Sequence, residues 1–216
     1  MTCILIVDDH PIVIQGCQRL FADAGMRHVL TASSLSDAFR KYRREKPDII
    51  LLDLAISSVT YSGLSFIRRL RLHDRRTPML VFSMHSDPVI VSRALALGAN
   101  GYILKDAPPD ELMTALQRVR SGSPYISHDL ASSLAFIEAR DKSNPLRSLT
   151  LRELQTLELI AEGRAYGDIA EALGVSYKTV VNTSSLLKNK LGVRSLPELM
   201  RIGIRHLPSI TATKGM

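Results

Sequence analysis

Five side chains spread over the first half of the chain have the chemistry of phosphoryl transfer: Asp8, Asp9, Asp53, Ser83 and Lys105. Crowded carboxylates repel one another, and a hard divalent cation with oxygen ligands, Mg2+ above all, relieves that repulsion. One carboxylate can then attack phosphorus while the cation neutralises the phosphoryl oxygens. Lys105 suits a further phosphoryl oxygen as a point charge, and the Ser83 hydroxyl can donate to another. Taken singly, each residue has an ordinary explanation, since an Asp pair after a strand commonly caps a helix. The set means something only if the fold gathers it.

The surrounding sequence is built to gather it. Short β-branched runs at 3–7, 28–31, 48–52, 79–83 and 101–104 alternate with helical patterns at 11–23, 35–44, 64–72, 88–97 and 109–121. In the last of these, Leu112, Leu116 and Val119 fall on one stripe. Five strands alternating with five helices predict a parallel, doubly wound α/β sheet. The continuously apolar IILL run fits a strand buried on both faces. Ser34 with Asp37 reads as a helix start, and Gly25, Gly98 and Gly122 as helix ends. In such a sheet, ligands collect beyond the carboxyl ends of the strands. Asp8 and Asp9 follow the first strand, Asp53 the third, Ser83 closes the fourth, and Lys105 follows the fifth. One edge thus receives three acids, a hydroxyl and an amine.

The second half has a different pattern. Residues 123–147 read as a linker that is helical over 127–137 and broken at Asn144-Pro145. From Ser148 on there is no strand pattern. Thr150 and Glu153 form a capping box, Gly163, Gly174 and Gly192 end helices, and Ser176 starts one. Ile169, Ala170 and Leu173, then a Gly174-Val175-Ser176 turn, then Val180 and Leu187 describe two short helices crossing closely. The outer face of the second carries Lys178, Thr179, Asn182, Ser185, Lys188 and Asn189. That is the sequence form of a helix entering the major groove of double-stranded DNA. Asn182 and Ser185 are placed for base edges, and Lys178, Thr179 and Lys188 for phosphate.

Bulk properties permit this reading without carrying it. With 45% hydrophobic and 23% charged residues, the 216-residue chain has the composition of a folded protein rather than a disordered one. No apolar run approaches the roughly 20 residues that span a bilayer, and the N-terminus meets two carboxylates at once, so a cytoplasmic protein is expected. The net charge of +7 is spread out: residues 1–122 carry 16 Lys and Arg against 12 Asp and Glu, and residues 148–216 carry 9 against 6. Charge therefore allows nucleic-acid binding but does not localise it. Cys3 lies in an apolar strand-like run and Cys17 in a helix-like one, and both read as buried, reduced thiols.

VDDHP, IILLDL, VFSMHS and GANGYILKDA together resemble the receiver domain of two-component response regulators over residues 2–122. The resemblance implies a five-stranded, flavodoxin-like receiver at 1–122 with Asp53 as phosphoacceptor. It makes Asp9 a direct metal ligand, Asp8 a ligand partly through water, and the Ala55 carbonyl the remaining protein ligand. Ser83 and Tyr102 match the family's switch pair, in which the hydroxyl moves toward the phosphoryl group and the ring turns inward. The phosphodonor would be a sensor histidine kinase or a small phosphorylated molecule. LTLRELQTLELIAEG, DIAEALGV and GVRSLPEL resemble the LuxR-type DNA-binding domain, placing an all-α helix-turn-helix domain at 148–208 before a flexible tail at 209–216. The whole is similar to the NarL/FixJ class. That implies a transcription regulator whose phosphorylation at Asp53 controls homodimerisation and DNA binding, and whose only catalysis is its own phosphotransfer and dephosphorylation. The terminal helix around 196–204 would pair two copies.

Two stretches depart from the family pattern. In LAISSVTYSGL, Ser57 stands where Pro is common, and Gly63 follows Asp53 at a longer interval than usual, as though two residues had been inserted. In the recognition helix, Val181 and Thr183 replace residues that are commonly Lys and His. Three rival readings use part of the pattern: a Mg2+-dependent phosphohydrolase acting through an aspartyl-phosphate, a LuxR-type regulator sensing a small molecule, and a receiver that works unphosphorylated. The first leaves the helical half idle, and the second leaves the acids, Ser83 and Lys105 without a task.

Overall fold

The computed structural model describes residues 2–56, 61–140 and 145–207, with backbone only for 136–140. Ser57, part of the polar linker and the tail at 209–216 lie outside the described residues. The chain divides into two compact units, one built from residues 1–57 and 61–135, the other from 136 onward.

In the first unit, β1 (Cys3–Val7), β2 (His28–Ala32), β3 (Ile49–Leu52), β4 (Met79–Ser83) and β5 (Gly101–Leu104) alternate with α1 (Pro11–Asp23), α2 (Leu35–Glu45), α3 (Ser62–Arg71), α4 (Pro88–Ala96) and α5 (Pro109–Arg120). These strands all pair in parallel, in the order β2-β1-β3-β4-β5. The expected doubly wound fold is present, with one correction. Among the described residues the sheet has six strands, not five, because β6 (Tyr125–Ile126), within the stretch read as linker, pairs in parallel with β5 at the edge. A two-residue strand has no period of its own and exists through its neighbour. Gly101 makes the room: a Cβ there would press on the Tyr125 carbonyl and the Val119 side chain. The following helix, α6 (His128–Arg140), extends beyond the expected 127–137.

The β3 strand is buried throughout, as IILL implied. Ile4, Ile6, Ile49, Leu51, Leu80 and Ile103 meet Phe21, Leu112, Leu116 and Val119 in one core. Each such side chain contributes about 2 kcal/mol by leaving water, which fixes the strand ends and the groups attached to them. Ser34 caps α2 by accepting from the Asp37 amide. Gly25, Gly98 and Gly122 all have positive φ where their helices stop. Cys3 and Cys17 are both buried and unbonded, and burial pushes the Cys17 thiol up to about 11.

The second unit is helical: a 3-10 turn at Pro145–Ser148, then α7 (Leu151–Ala161), α8 (Tyr166–Leu173), α9 (Tyr177–Leu191) and α10 (Leu196–His206). The Thr150–Glu153 capping box forms in full. Gly203 lets α10 cross α7 closely, since a Cβ there would collide with Ala161 Cβ.

Candidate functional site

The first unit assembles the acids at the carboxyl edge of its sheet. Asp8 follows β1 and Asp53 follows β3, and because these strands are neighbours the two carboxylates converge. Both are almost fully buried, at 2% and 3% exposure. Ligand atoms of Asp8, Asp9, His10 and Asp53 all lie within 4.8 Å of one another. Lys105, beyond β5, reaches across to place Nζ 2.8 Å from Asp8 Oδ2 and 2.9 Å from Asp53 Oδ2. The second Asp53 oxygen, Oδ1, accepts from the Leu54 amide at 2.7 Å. Ala55 lies two residues beyond Asp53, partly exposed between buried Leu54 and Ile56.

Charge in this space is balanced by pairing. Burial, opposed by Lys105, raises the Asp53 carboxyl above the usual carboxylate range. Burial works against the Lys105 charge too, but Asp53 and Asp8 outweigh it and its pKa is raised. The donor set consists of hard carboxylate oxygens and fits a small divalent cation such as Mg2+. Asp8, Asp9 and Asp53 could hold it, with Lys105 and His10 as the groups it would compete against. His10, which the sequence reading passed over, sets Nδ1 3.0 Å from Asp8 Oδ1 and 3.2 Å from Asp9 Oδ1. Its signal was its place directly after the acid pair.

Ser83 closes β4 with no solvent exposure. Its carbonyl accepts from the Lys105 amide at 3.0 Å, so the ends of β4 and β5 are tied. Its hydroxyl accepts from the His85 amide at 3.4 Å. Tyr102, also without exposure, donates its hydroxyl to the His85 carbonyl at 2.7 Å. The ring is thus turned inside. Burial raises the Tyr102 phenol far above its ordinary pKa, so the hydroxyl keeps its proton and stays a donor. His85, another residue the sequence reading did not mark, is buried, and its ring lies 5.0 Å from that of Tyr61.

The second unit presents the other face. The α8–α9 turn is made by Gly174 in the left-handed region and by Ser176, whose hydroxyl accepts from the Thr179 amide at 3.1 Å. Ile169, Ala170 and Leu173 from α8 and Val180, Ser184 and Leu187 from α9 are buried. Tyr166 holds Ser184 across the pair through a hydroxyl contact of 2.6 Å. Lys178, Thr179, Asn182, Ser185 and Asn189 are exposed along α9, and Lys188 is half-buried. Two of their hydroxyls have local partners: Thr179 Oγ1 meets Ser176 Oγ at 2.8 Å, and Ser185 Oγ donates to the Val181 carbonyl at 3.1 Å. Tyr177, at the start of α9, is 60% exposed beside these residues and was not anticipated.

Comparison with known proteins matches both units. Residues 4–117 match the response regulator receiver domain, and residues 147–202 match the luxR family of bacterial regulatory proteins. The chain is 41% identical over 203 residues to the methanol utilization control regulatory protein MoxX of Paracoccus denitrificans, covering 94% of this chain and 91% of that one. It is 32% identical over 209 residues to the response regulator UvrY of Escherichia coli K12, covering 95% of each. Among solved structures it resembles RcsB from Salmonella enterica serovar Typhimurium, bound to promoter P1flhDC in the presence of the phosphomimetic BeF3-. That match has a TM-score of 0.69 and 25% identity over 93% of this chain and 97% of the other.

Proposed function

The chain belongs to the response regulators of the NarL/FixJ class, a receiver domain followed by a LuxR-type DNA-binding domain, and from that membership we propose that phosphorylation of Asp53 controls its dimerisation and its sequence-specific binding to double-stranded DNA. The receiver would occupy 1–122 and the DNA-binding domain 148–208, joined by 123–147. The observation that carries the reading is Lys105 Nζ bridging Asp8 and Asp53 at 2.8 and 2.9 Å, at the edge where Ser83 ends its strand.

Asp53 is the nucleophile. One of its carboxylate oxygens bonds to phosphorus as the bond to the donor's leaving group breaks, whether the donor is a sensor histidine kinase or a small phosphodonor. Mg2+ held by Asp8, Asp9, Asp53 and the Ala55 carbonyl would offset the negative charge of the donor's phosphoryl oxygens. Lys105 moves its charge from the bare carboxylate to a phosphoryl oxygen, and the Ser83 hydroxyl donates to another. The new group adds about −1.5 to −2 charges at this edge. Ser83 and Tyr102 carry the change to the receiver surface, which then favours a second copy. His10, 61% exposed, can leave the acids when the cation binds.

On the output side, Asn182 and Ser185 read base edges while Lys178, Thr179 and Lys188 hold phosphates. RcsB, similar over almost the whole chain, is bound to a promoter. Leu196 and Ile204, apolar and exposed on α10, suit the pairing of two DNA-binding domains. Among the described residues no helix is long and apolar enough to cross a membrane; membership of a DNA-binding regulator family supports a cytoplasmic location. Gel shifts with and without acetyl phosphate and Mg2+, at matched salt, test the coupling. Tighter binding after phosphorylation is expected; identical affinities would refute it.

A further inference from the structure

Tyr61 occupies a position that a bulky residue rarely takes. Its backbone is left-handed, with φ at 56°, and its side chain has no solvent exposure. A non-glycine residue stays in that region only where its surroundings over-determine it. Two sets of contacts do so.

The first set attaches the start of α3 to the backbone that follows Asp53. The Gly63 amide donates to the Leu54 carbonyl at 3.0 Å. The Ser62 hydroxyl accepts from the Ile56 amide at 3.2 Å. Gly63 lies so close to the Asp53 carbonyl and Leu54 Cα that no Cβ fits there. Residues 61–63 therefore follow the position of the Asp53 loop closely.

The second set leads away from it. The Tyr61 ring packs on the His85 ring at 5.0 Å, tilted by 51°. His85 binds Ser83 through its amide and Tyr102 through its carbonyl. All three rings are buried. A path of contacts runs from the backbone just after Asp53 through residues 61–63 and His85 to Tyr102, and it meets Ser83 at the His85 amide.

We propose that Tyr61 is a positioning residue that clamps His85, so that the His85 carbonyl holds Tyr102 inside before Asp53 is phosphorylated. The proposal rests on the response-regulator reading and deepens it. Tyr102 does not wait for the phosphoryl group to bring it in. Part of the conformational change is made in advance, and the loop that departs from the family pattern supplies the residue that makes it. Phosphorylation then has less left to shift, and its gain in DNA affinity is smaller than a freely rotating Tyr102 would give.

The test places a single fluorotyrosine at position 102 of the full chain and records fluorine NMR without phosphodonor. Wild type and Tyr61→Phe, which keeps the ring, should give one buried resonance. Tyr61→Leu should add a second, solvent-accessible resonance that becomes the major one. If the inward fraction falls from about nine-tenths to about one-tenth, unphosphorylated DNA affinity drops by roughly tenfold, or about 1.4 kcal/mol. The gain on treatment with acetyl phosphate should rise by about the same factor. A cooperative thermal melt establishes that Tyr61→Leu is folded. If it is not, His85→Leu, which removes the stacked ring but keeps the carbonyl, should give the same second resonance. A folded variant with an unchanged Tyr102 resonance overturns the proposal. The NMR arm needs no phosphoryl group, so failure of Asp53 labelling would count against the response-regulator reading alone.

Discussion

The Lys105 ammonium sits 2.9 Å from Asp53 Oδ2, in a space nearly closed to water, with Asp8 held by the same nitrogen at 2.8 Å. The cation that would stabilise a phosphoryl group is therefore in place beforehand, spending its charge on two carboxylates. Any phosphoryl group or metal entering the site must take over part of that pairing.

Lys105→Met tests this directly. It leaves two buried carboxylates facing each other, and breaking such a pair typically costs about 3–5 kcal/mol. Thermal melts in EDTA should show a large fall in Tm. Adding Mg2+ should restore more stability to the variant than it adds to wild type. Equal Mg2+ responses would show that Lys105 and the metal do not share ligands.

His85 gives a pH dependence. Burial first, then the nearby Lys105 charge, lowers its pKa to about 4, against about 6.5 in an unfolded chain. Above 6.5 the imidazole is neutral in both states and its contribution to stability is full. As pH falls from 6.5 toward 4, only the unfolded chain takes up the proton, and about 3 kcal/mol of stability is lost. Urea unfolding of wild type and His85→Asn at pH 7.5 and pH 5 should show this loss in wild type and much less of it in the variant.

Gly63 and Gly16 form a contrasting pair. A Cβ at Gly63 meets the Asp53 carbonyl, whereas at Gly16, within α1, it meets nothing within 4 Å. Gly63→Ala should destabilise by about 1–3 kcal/mol and slow phosphorylation. Gly16→Ala should stabilise by about 1 kcal/mol with phosphorylation unchanged. Urea titrations and labelling rates measure both.

For α9, Lys188→Ala should weaken binding to all sequences alike and reduce the salt slope of log K by about one. Asn182→Ala should instead relax the preference at one base pair, at a cost of about 1–3 kcal/mol. A selection for bound sequences, run with salt titrations, separates the two. A changed base preference in Lys188→Ala would reverse the assignment.

Much of the fold and the acidic site was legible because parallel strands announce themselves. Runs such as IILL are apolar throughout, the following residue lies at the sheet edge by construction, and Asp53 and Lys105 were located by that rule alone. The stops at Gly25 and Gly122 were readable because only glycine takes a left-handed end without cost. β6 was not legible, since two residues show no alternation and depend on the gap at Gly101. Nor was the Tyr61–His85 contact, which joins residues with no shared period across two loops. Likewise, the sequence marked Ser185 as polar but could not show that its hydroxyl is turned back to the Val181 carbonyl.

Intact-mass measurement after incubation with acetyl phosphate and Mg2+ addresses the nucleophile itself. Wild type should gain one phosphoryl group, lose it again on standing, and fail to gain it in EDTA, while Asp53→Asn gains none. Equal labelling of Asp53→Asn would place the phosphoryl group elsewhere and contradict the account.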